Sequence, residues 1–213
     1  FLTRAVPVTS WSAPKPNIFF PKFETFFLLC LGLFFFGLGE SILVVSSNGV
    51  TPWTVLAEGV ANKVHIGVGL STFLISCFVL IFWLPLKLKP GIGTIMNILV
   101  IAATMVCTIP FLSFLNDIFS PIFLSFFGTL LVGFGSGIYL IANLGPGTRD
   151  GLMTGISKNY NKPISLVRFC IEFFVIFFGW LLDGTLGMVT IVFAIFIGPF
   201  ISLSLKGIPH LKK

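Results

Sequence analysis

Residues 37–59 read GLGESILVVSSNGVTPWTVLAEG, and residues 133–155 read GFGSGIYLIANLGPGTRDGLMTG. The second stretch begins 96 residues after the first, and the same register continues to residues 95 and 191 without a gap. Five glycines coincide in this register, at the pairs 37/133, 39/135, 49/145, 59/155 and 91/187. Because glycine marks close backbone approach or unusual dihedral angles, this coincidence predicts that one structural unit occurs twice.

The composition is that of an integral membrane protein. Hydrophobic residues make up 56% of the 213 residues, charged residues only 9%, and the mean hydropathy is +1.07. A soluble domain typically carries about 25% charged residues. The net charge of +6 comes from Lys and Arg that lie mostly between apolar runs, where they orient a chain in the bilayer. The lipid bilayer is therefore the expected partner, and nucleic-acid binding has no support beyond net charge.

Six apolar runs are each close to the roughly 20 residues that cross a bilayer as a helix. They lie at 23–47, 66–86, 92–111, 121–143, 164–182 and 187–205. These runs predict an all-α integral membrane protein of six transmembrane helices. It is divided into an N-terminal segment (1–22), a first repeat (23–111), a linker (112–120), a second repeat (121–205) and a basic tail (206–213). Because three spans per repeat return the chain on the opposite side, we expect the two three-helix repeats to be inverted.

The positions of the basic residues agree with six spans. With the N-terminus placed inside, the inner segments hold eleven of the thirteen Lys and Arg. The outer segments hold only Lys63, and Arg168 lies within the fifth span. The positive-inside rule therefore predicts a multi-pass plasma-membrane protein with both termini in the cytoplasm.

Each repeat has a short amphipathic segment after its first span, at residues 51–65 and 148–160. In the first, apolar residues recur at helical spacing, Thr51 is suited to the N-cap and Pro52 to the first turn. The second repeats this layout. Either segment lies flat at the membrane interface or dips inward as a re-entrant half-helix. We favour the interface, because interfacial amphipathic helices are common.

Charged residues inside the apolar runs each cost roughly 2.5–3.5 kcal/mol by insertion scales, and three of them stand out. They are Glu40 in the first span, and Arg168 and Glu172 in the fifth. Arg168 and Glu172 are four residues apart, so they share one helix face and can pair. Two interpretations stay open: a self-neutralised pair that fixes helix packing, or a polar lining for a solute or proton path.

The turn at residues 145–150 is the second candidate site. Gly145 and Gly147 expose backbone at a helix start, which favours an anion, and Arg149 adds a fork of donors. Asp150 is placed to cap the helix, bond Arg149 or exchange a proton. The alternative is a well-capped turn with a routine cytoplasmic arginine. At corresponding positions of the first repeat, Thr51 and Trp53 complete the candidate set.

The sequence contains no pattern typical of metal binding, phosphate binding or catalysis. The four cysteines lie far apart within apolar runs, and His65 and His210 have no partners at ligand spacing, so no metal site is expected. No Ser/His/Asp or Cys/His set is present, and the Gly-Lys-Ser/Thr ending of a phosphate-binding loop is absent. We therefore expect no cofactor and no enzymatic activity.

The string from Gly145 to Gly155 resembles a signature of the YczE/YyaS/YitT type of bacterial integral membrane proteins, most closely the YczE branch. The resemblance continues through 164–168, 171–172, 179–185 and 197–200, and residues 49–54 are similar to the family's Gly-x-Ser/Thr-Pro-Trp-Asp turn. The chain departs from the pattern at Thr54, where many relatives carry Asp, and at Thr148 and Asp183. The resemblance implies a multi-span bacterial inner-membrane protein, and it implies no settled biochemical activity.

Inverted duplication, Gly/Pro-broken segments at matching positions and intramembrane charges together favour a secondary transporter or permease for a small solute, with an anion as one candidate. The alternative is a non-transporting membrane scaffold or regulatory protein that acts through partner contacts. The sequence leaves homo-oligomerisation open. Candidate solute-binding or transport residues are Glu40, Thr51, Trp53, Gly145, Gly147, Arg149, Asp150, Arg168 and Glu172.

Overall fold

The structure, a computed structural model, describes residues 6–16 and 18–208. Within these residues it contains nine α-helices and no strand, as the apolar runs predict. The helices are α1 Phe23–Val45, α2 Pro52–Val64, α3 Val68–Ile81, α4 Ile92–Leu112, α5 Leu115–Ile118, α6 Pro121–Ala142, α7 Thr148–Asn159, α8 Ile164–Leu181 and α9 Met188–Gly207. Residues 1–5, 17 and 209–213 lie outside the described residues, and with them Arg4, His210, Lys212, Lys213 and most of the predicted basic tail.

Five helices are long and apolar enough to cross a membrane: α1, α4, α6, α8 and α9. The sixth candidate is the pair α2 and α3, whose axes bend by 112° at the break between them. The second predicted span, 66–86, is therefore shorter as a helix than we expected, because α3 ends at Ile81 and turns follow. Pro85 explains the early end, since proline disfavours helical geometry in the residue before it.

The centre of the molecule is the packing of α1 against α6. Gly32 lies against Gly135 and Ile138, whereas Gly39 lies against Gly128, so the two helices run antiparallel. A Cβ atom at Gly39 would lie 2.6 Å from the Gly128 carbonyl oxygen. Small residues are what allow such close approach between membrane helices. Two glycine pairs related by the 96-residue offset, Gly32/Gly128 and Gly39/Gly135, thus hold the first helices of the two repeats together.

Four other hydrogen bonds between the two halves form two reciprocal pairs. The Val189 amide donates to the Asn48 carbonyl at 3.0 Å, and the Gly93 amide donates to the Leu144 carbonyl at 2.8 Å. Val189 corresponds to Gly93 and Asn48 to Leu144 at the 96-residue offset, so the two bonds occupy equivalent positions in the two repeats. A second pair obeys the same rule, at 2.8 Å each: Thr190 Oγ1 to the Val50 carbonyl, and Thr94 Oγ1 to the Pro146 carbonyl. In each half, the turn after the first helix is therefore tied to the last long helix of the other half.

The short helices α2 and α7 begin inside the bundle. After α1 ends at Val45 the chain turns back, so that Thr51 hydrogen-bonds Glu40 of α1. Residues 52–55 at the start of α2 are all buried, and at the start of α7 Trp83 Nε1 donates to the Thr148 carbonyl at 3.1 Å. The first turns of both helices are therefore packed against neighbouring helices of the bundle, whereas the interfacial placement that we favoured stays a prediction. The same amphipathic pattern arises when a helix packs its apolar side on neighbouring helices and turns its polar side to a cavity.

Candidate functional site

The first turns of α2 and α7 meet at a cavity of about 290 Å³. Its remaining walls come from the long helices α1, α4, α6, α8 and α9. Eight of the nine candidate residues line it: Glu40, Thr51, Trp53, Gly147, Arg149, Asp150, Arg168 and Glu172. The ninth, Gly145, lies outside the lining, where its positive φ of 114° shapes the turn that leads into α7.

The cavity lies where the two halves of the chain meet. Twelve of its lining residues form six pairs related by the 96-residue offset, namely 36/132, 40/136, 51/147, 53/149, 97/193 and 101/197. The walls are thus equivalent in backbone position but different in chemistry, because Glu40 corresponds to Ser136 and Trp53 corresponds to Arg149.

Glu40 is the buried acid of the site, with an exposed fraction of 1%. Thr54 Oγ1 donates to Glu40 Oε2 at 2.7 Å, and Thr51 Oγ1 lies 3.2 Å and 3.1 Å from Oε1 and Oε2. The two hydroxyls are 2.9 Å apart. Among the described residues, no Lys, Arg or His nitrogen lies within 4 Å of this carboxylate. Its direct partners are therefore neutral hydroxyl groups carried into the bundle by the turn before α2.

Arg149 and Trp53 face each other across the start of the two short helices. The Arg149 Cζ atom lies 5.3 Å from the centre of the Trp53 ring, within the range of a cation–π contact. Glu40 and Asp150 lie near enough for their carboxylates to attract this guanidinium. An arginine remains charged under such conditions. The guanidinium thus supplies a fixed positive charge to the cavity.

Two of the donors at this point have no hydrogen-bond acceptor within the described part of the chain. Trp53 is 7% exposed, and its buried Nε1 atom has no partner. The Arg149 guanidinium stacks on the Trp53 ring and makes no hydrogen bond to any described residue. An unpaired buried donor costs roughly 1–3 kcal/mol, so a ligand acceptor at this position would recover that energy.

The remaining charged groups of the cavity have protein partners. Tyr139, at 4% exposure, donates its hydroxyl to Asp150 Oδ2 at 2.5 Å. Arg168 Nε lies 2.8 Å from Glu172 Oε1, so the pair predicted from their four-residue spacing is present. Both side chains of that pair remain partly exposed and both line the cavity. The Arg168–Glu172 pair is therefore compatible with both interpretations of the sequence, a self-neutralised pair and a polar wall of the cavity.

Three polar lining residues escaped the sequence analysis: Asn97, Ser136 and Tyr139. The repeat offset was the available signal for Ser136, because it places this residue opposite Glu40. Tyr139 and Asn97 lie in apolar runs, where a single aromatic or amide residue is not informative. Among the described residues, no group of three or more His, Cys, Asp or Glu is placed to hold a metal ion, and all four cysteines are free.

Comparison with known proteins identifies the family. The model of a family of unknown function, DUF6198, matches residues 23–206. The chain belongs to the DUF6198 family. It is 40% identical to an uncharacterized protein of Haemophilus influenzae, over 98% of this chain and 94% of that protein. It is 28% identical to the uncharacterized membrane protein YczE of Bacillus subtilis, over 82% of each chain. No solved structure matches it.

The resemblance to the YczE type of membrane protein is thus confirmed. The family match covers all nine helices except the last residue of α9, and so it includes every residue of the cavity. Family membership and the apolar helices together establish a multi-pass membrane protein.

Proposed function

We propose that this protein is a secondary transporter that carries a small organic acid across the bacterial inner membrane. In this proposal its two halves are inverted three-span repeats, both termini are cytoplasmic, and the solute binds where α2 and α7 meet. The observation that carries the proposal is the pair of unpaired donors, Arg149 and the Trp53 indole N–H, at a cavity within the bundle.

The reciprocal contacts support the inverted arrangement. The hydrogen bonds from Val189 to Asn48 and from Gly93 to Leu144 are related by the repeat offset, as expected for two units that exchange places about an axis. The antiparallel packing of α1 and α6 agrees with this arrangement. Transporters of this kind hold their solute near the bilayer midplane, between the repeats and beside interrupted helices.

The donors support an acidic solute. A carboxylate fits the Arg149 fork in a bidentate manner, and the Trp53 N–H can donate to the same group. The helices that begin here, α2 of 13 residues and α7 of 12 residues, add the positive ends of their dipoles. A cavity of about 290 Å³ suits a small organic acid rather than a polymer or a complex lipid.

The proposal is tested by binding followed by flux. Purified protein in lipid nanodiscs is melted with acetate, lactate, succinate or glutamate, and the acid with the largest stabilisation is then followed into proteoliposomes. We expect a saturable rise in melting temperature and protein-dependent uptake. Arg149→Ala should abolish both, because it removes the fixed positive charge.

Lys158→Ala is the matched control, because Lys158 lies on α7 as Arg149 does but is exposed near the far end of that helix. It should bind and transport like the wild type. If none of the four acids stabilises the wild-type protein or crosses the liposome membrane, the transport proposal is wrong. A stably co-purifying protein together with that result would favour the scaffold alternative.

A further inference from the structure

Glu40 is the one fully buried acid of the cavity. Among the described residues, its only hydrogen-bond partners are hydroxyl groups. Asp150 also accepts from a hydroxyl, that of Tyr139, but it is exposed. Glu172 is paired with Arg168. Glu40 therefore differs from the other two acids in having neither solvent nor a cation in direct contact.

Several charged or titratable groups face Glu40 from the surrounding elements. From α7 come Arg149, whose charge attracts the carboxylate, and Asp150. From α6 comes Tyr139, and from α8 comes the Arg168–Glu172 pair. From α2 come Thr51 and Thr54 and, further along, Glu58, whose charge interacts unfavourably with that of Glu40. The lining residues from α4 and α9 bring no titratable group.

The charges of this set do not balance once an acid binds. The Arg168–Glu172 pair neutralises itself, which leaves Arg149 to compensate Glu40 and Asp150. A solute carboxylate on Arg149 would then be a third negative charge around one positive charge, beside the fully buried Glu40 and the exposed Asp150. Such a site becomes favourable when one carboxylate takes up a proton, because like charges held close together disfavour double ionisation.

We infer that the protein binds one proton on the Glu40 carboxylate together with each acid anion that it carries. This inference rests on the proposed transport of an acid. One proton and one monovalent anion move as a neutral pair, so the coupled step transfers no net charge across the membrane.

The hydroxyl groups around Glu40 suit both of its charge states. A threonine hydroxyl can donate to a carboxylate, and it can also accept from a protonated carboxyl group. Rotation of the Thr51 and Thr54 hydroxyls would therefore keep the hydrogen bonds complete when the proton arrives. A lysine or arginine partner would not permit this change, since it can only donate.

Calorimetry tests the inference on the intact protein. The acid that stabilises the wild type most, among acetate, lactate, succinate and glutamate, is titrated in two buffers with different ionisation enthalpies. We expect uptake of about one proton per anion above the titration range of Glu40, and an apparent affinity that falls about tenfold per pH unit there. Glu40→Gln should bind the acid with no proton uptake and with an affinity independent of pH.

Glu58→Gln is the matched control, since Glu58 is also a buried acid but lies outside the cavity lining. It should keep the proton uptake of the wild type. The inference is overturned if the wild type binds the acid without taking up a proton, or if Glu40→Gln still takes one up; the transport proposal survives both results. If no acid binds the wild type, the transport proposal itself fails and the coupling fails with it.

A second measurement does not depend on the folding of Glu40→Gln. Uptake of a monovalent acid by wild-type proteoliposomes should follow an imposed pH gradient and should not respond to a membrane potential set with valinomycin and potassium. Uptake that follows the potential and ignores the pH gradient would overturn the inference.

Discussion

Trp53 makes two kinds of contact and carries one unpaired donor. Its ring packs in an apolar cluster with Ala57, Ile75 and Trp83 and lies under the Arg149 guanidinium, while its indole N–H has no acceptor among the described residues. A tryptophan chosen only for packing would normally find a partner for that N–H. In the proposed function, this unpaired donor is the group that the Trp53 side chain offers to the solute.

Replacing Trp53 with Phe separates these contacts. Trp53→Phe keeps an aromatic face for Arg149 but removes the N–H, so the acid should bind roughly 10-fold or more weakly, the value of a hydrogen bond to a charged group. The change in stability should stay within about 1 kcal/mol, because the lost volume is offset by the removal of an unpaired buried donor. Titration of the acid and thermal melting measure the two effects.

Trp180→Phe is the control for this change, since Trp180 is 56% exposed on α8 and does not line the cavity. It should alter neither binding nor melting. A Trp53→Phe protein that binds the acid as tightly as the wild type would contradict the role given to the indole N–H.

Substitution of Arg149 tests whether the positive charge alone or also the bidentate hydrogen-bond geometry holds the solute. Arg149→Lys keeps the positive charge but loses the planar fork that matches a carboxylate in a bidentate manner. We expect binding about 10-fold weaker than in the wild type, the worth of one lost hydrogen bond, and clearly stronger than in Arg149→Ala. Equal affinity of the lysine variant and the wild type would mean that charge alone acts.

Single residues were predictable where their chemistry conflicts with lipid. Glu40, Arg168 and Glu172 were found because a charge in an apolar run needs a reason, and Arg149 because it follows a Gly/Pro turn at a helix start. All four line one cavity. Their partners were not predictable in the same way. Tyr139 donates to Asp150 from within an apolar helix, and neither composition nor spacing distinguishes a tyrosine that binds a carboxylate from one that faces lipid.

At the scale of elements, the turns that lead into α2 and α7 depend on glycine. Gly49 has a φ of 97°, and a Cβ atom there would lie 2.5 Å from the Gly187 amide nitrogen. Gly145, its repeat counterpart, has a φ of 114° and lies against Gly91. The two sites are the same contact formed twice, and each sends the chain back into the bundle.

Gly49→Ala should therefore lower the free energy of unfolding by roughly 2–4 kcal/mol, through positive φ and backbone overlap together. Gly67→Ala is the matched control. Gly67 also precedes a short helix, but its φ is −70° and no atom lies within 4 Å of an added Cβ. Its effect should be within about 1 kcal/mol. Thermal melting in one detergent compares both variants, and equal losses would contradict the tight turn at Gly49.

The helices themselves followed from hydropathy, but the placement of the short ones did not. Residues 51–65 have one apolar face and one polar face, a pattern that serves a helix at a membrane surface as well as a helix beside a polar cavity. Only tertiary contacts, such as that of Thr51 with Glu40, distinguish the two. Pro85 is the local signal for the early end of α3, and this end could have been predicted from the sequence alone.

At the scale of the whole molecule, duplication explains how a small chain can form a central site. The same backbone occurs twice, so two turns reach one cavity from the two halves of the chain. The chemistry then divides between the copies: the first repeat brings one acid, Glu40 on α1, and the second brings two, Asp150 on the short helix α7 and Glu172 on α8. Exchange of conformations between inverted repeats would open such a cavity to either side in turn.

The sidedness of the two halves is the last prediction, and it tests the inverted arrangement directly. Lys63 at the end of α2 and Lys158 near the end of α7 are both exposed. The proposed inverted arrangement predicts that they lie on opposite sides of the membrane. Lys63 pairs with Asp183 through Nζ and Oδ2 at 2.5 Å, but both side chains are more than half exposed, so losing this pair costs at most about 1 kcal/mol.

In a background without the four native cysteines, each lysine is replaced with cysteine and right-side-out vesicles are treated with a membrane-impermeant maleimide. Lys63→Cys should react in intact vesicles, whereas Lys158→Cys should react only after detergent is added, because the basic segments stay in the cytoplasm. The reverse pattern would agree with inverted repeats but would place Lys63 in the cytoplasm and Lys158 outside, the opposite orientation of the whole molecule. Reaction of both variants in intact vesicles would place both short helices' ends on one side and contradict the inverted repeat itself.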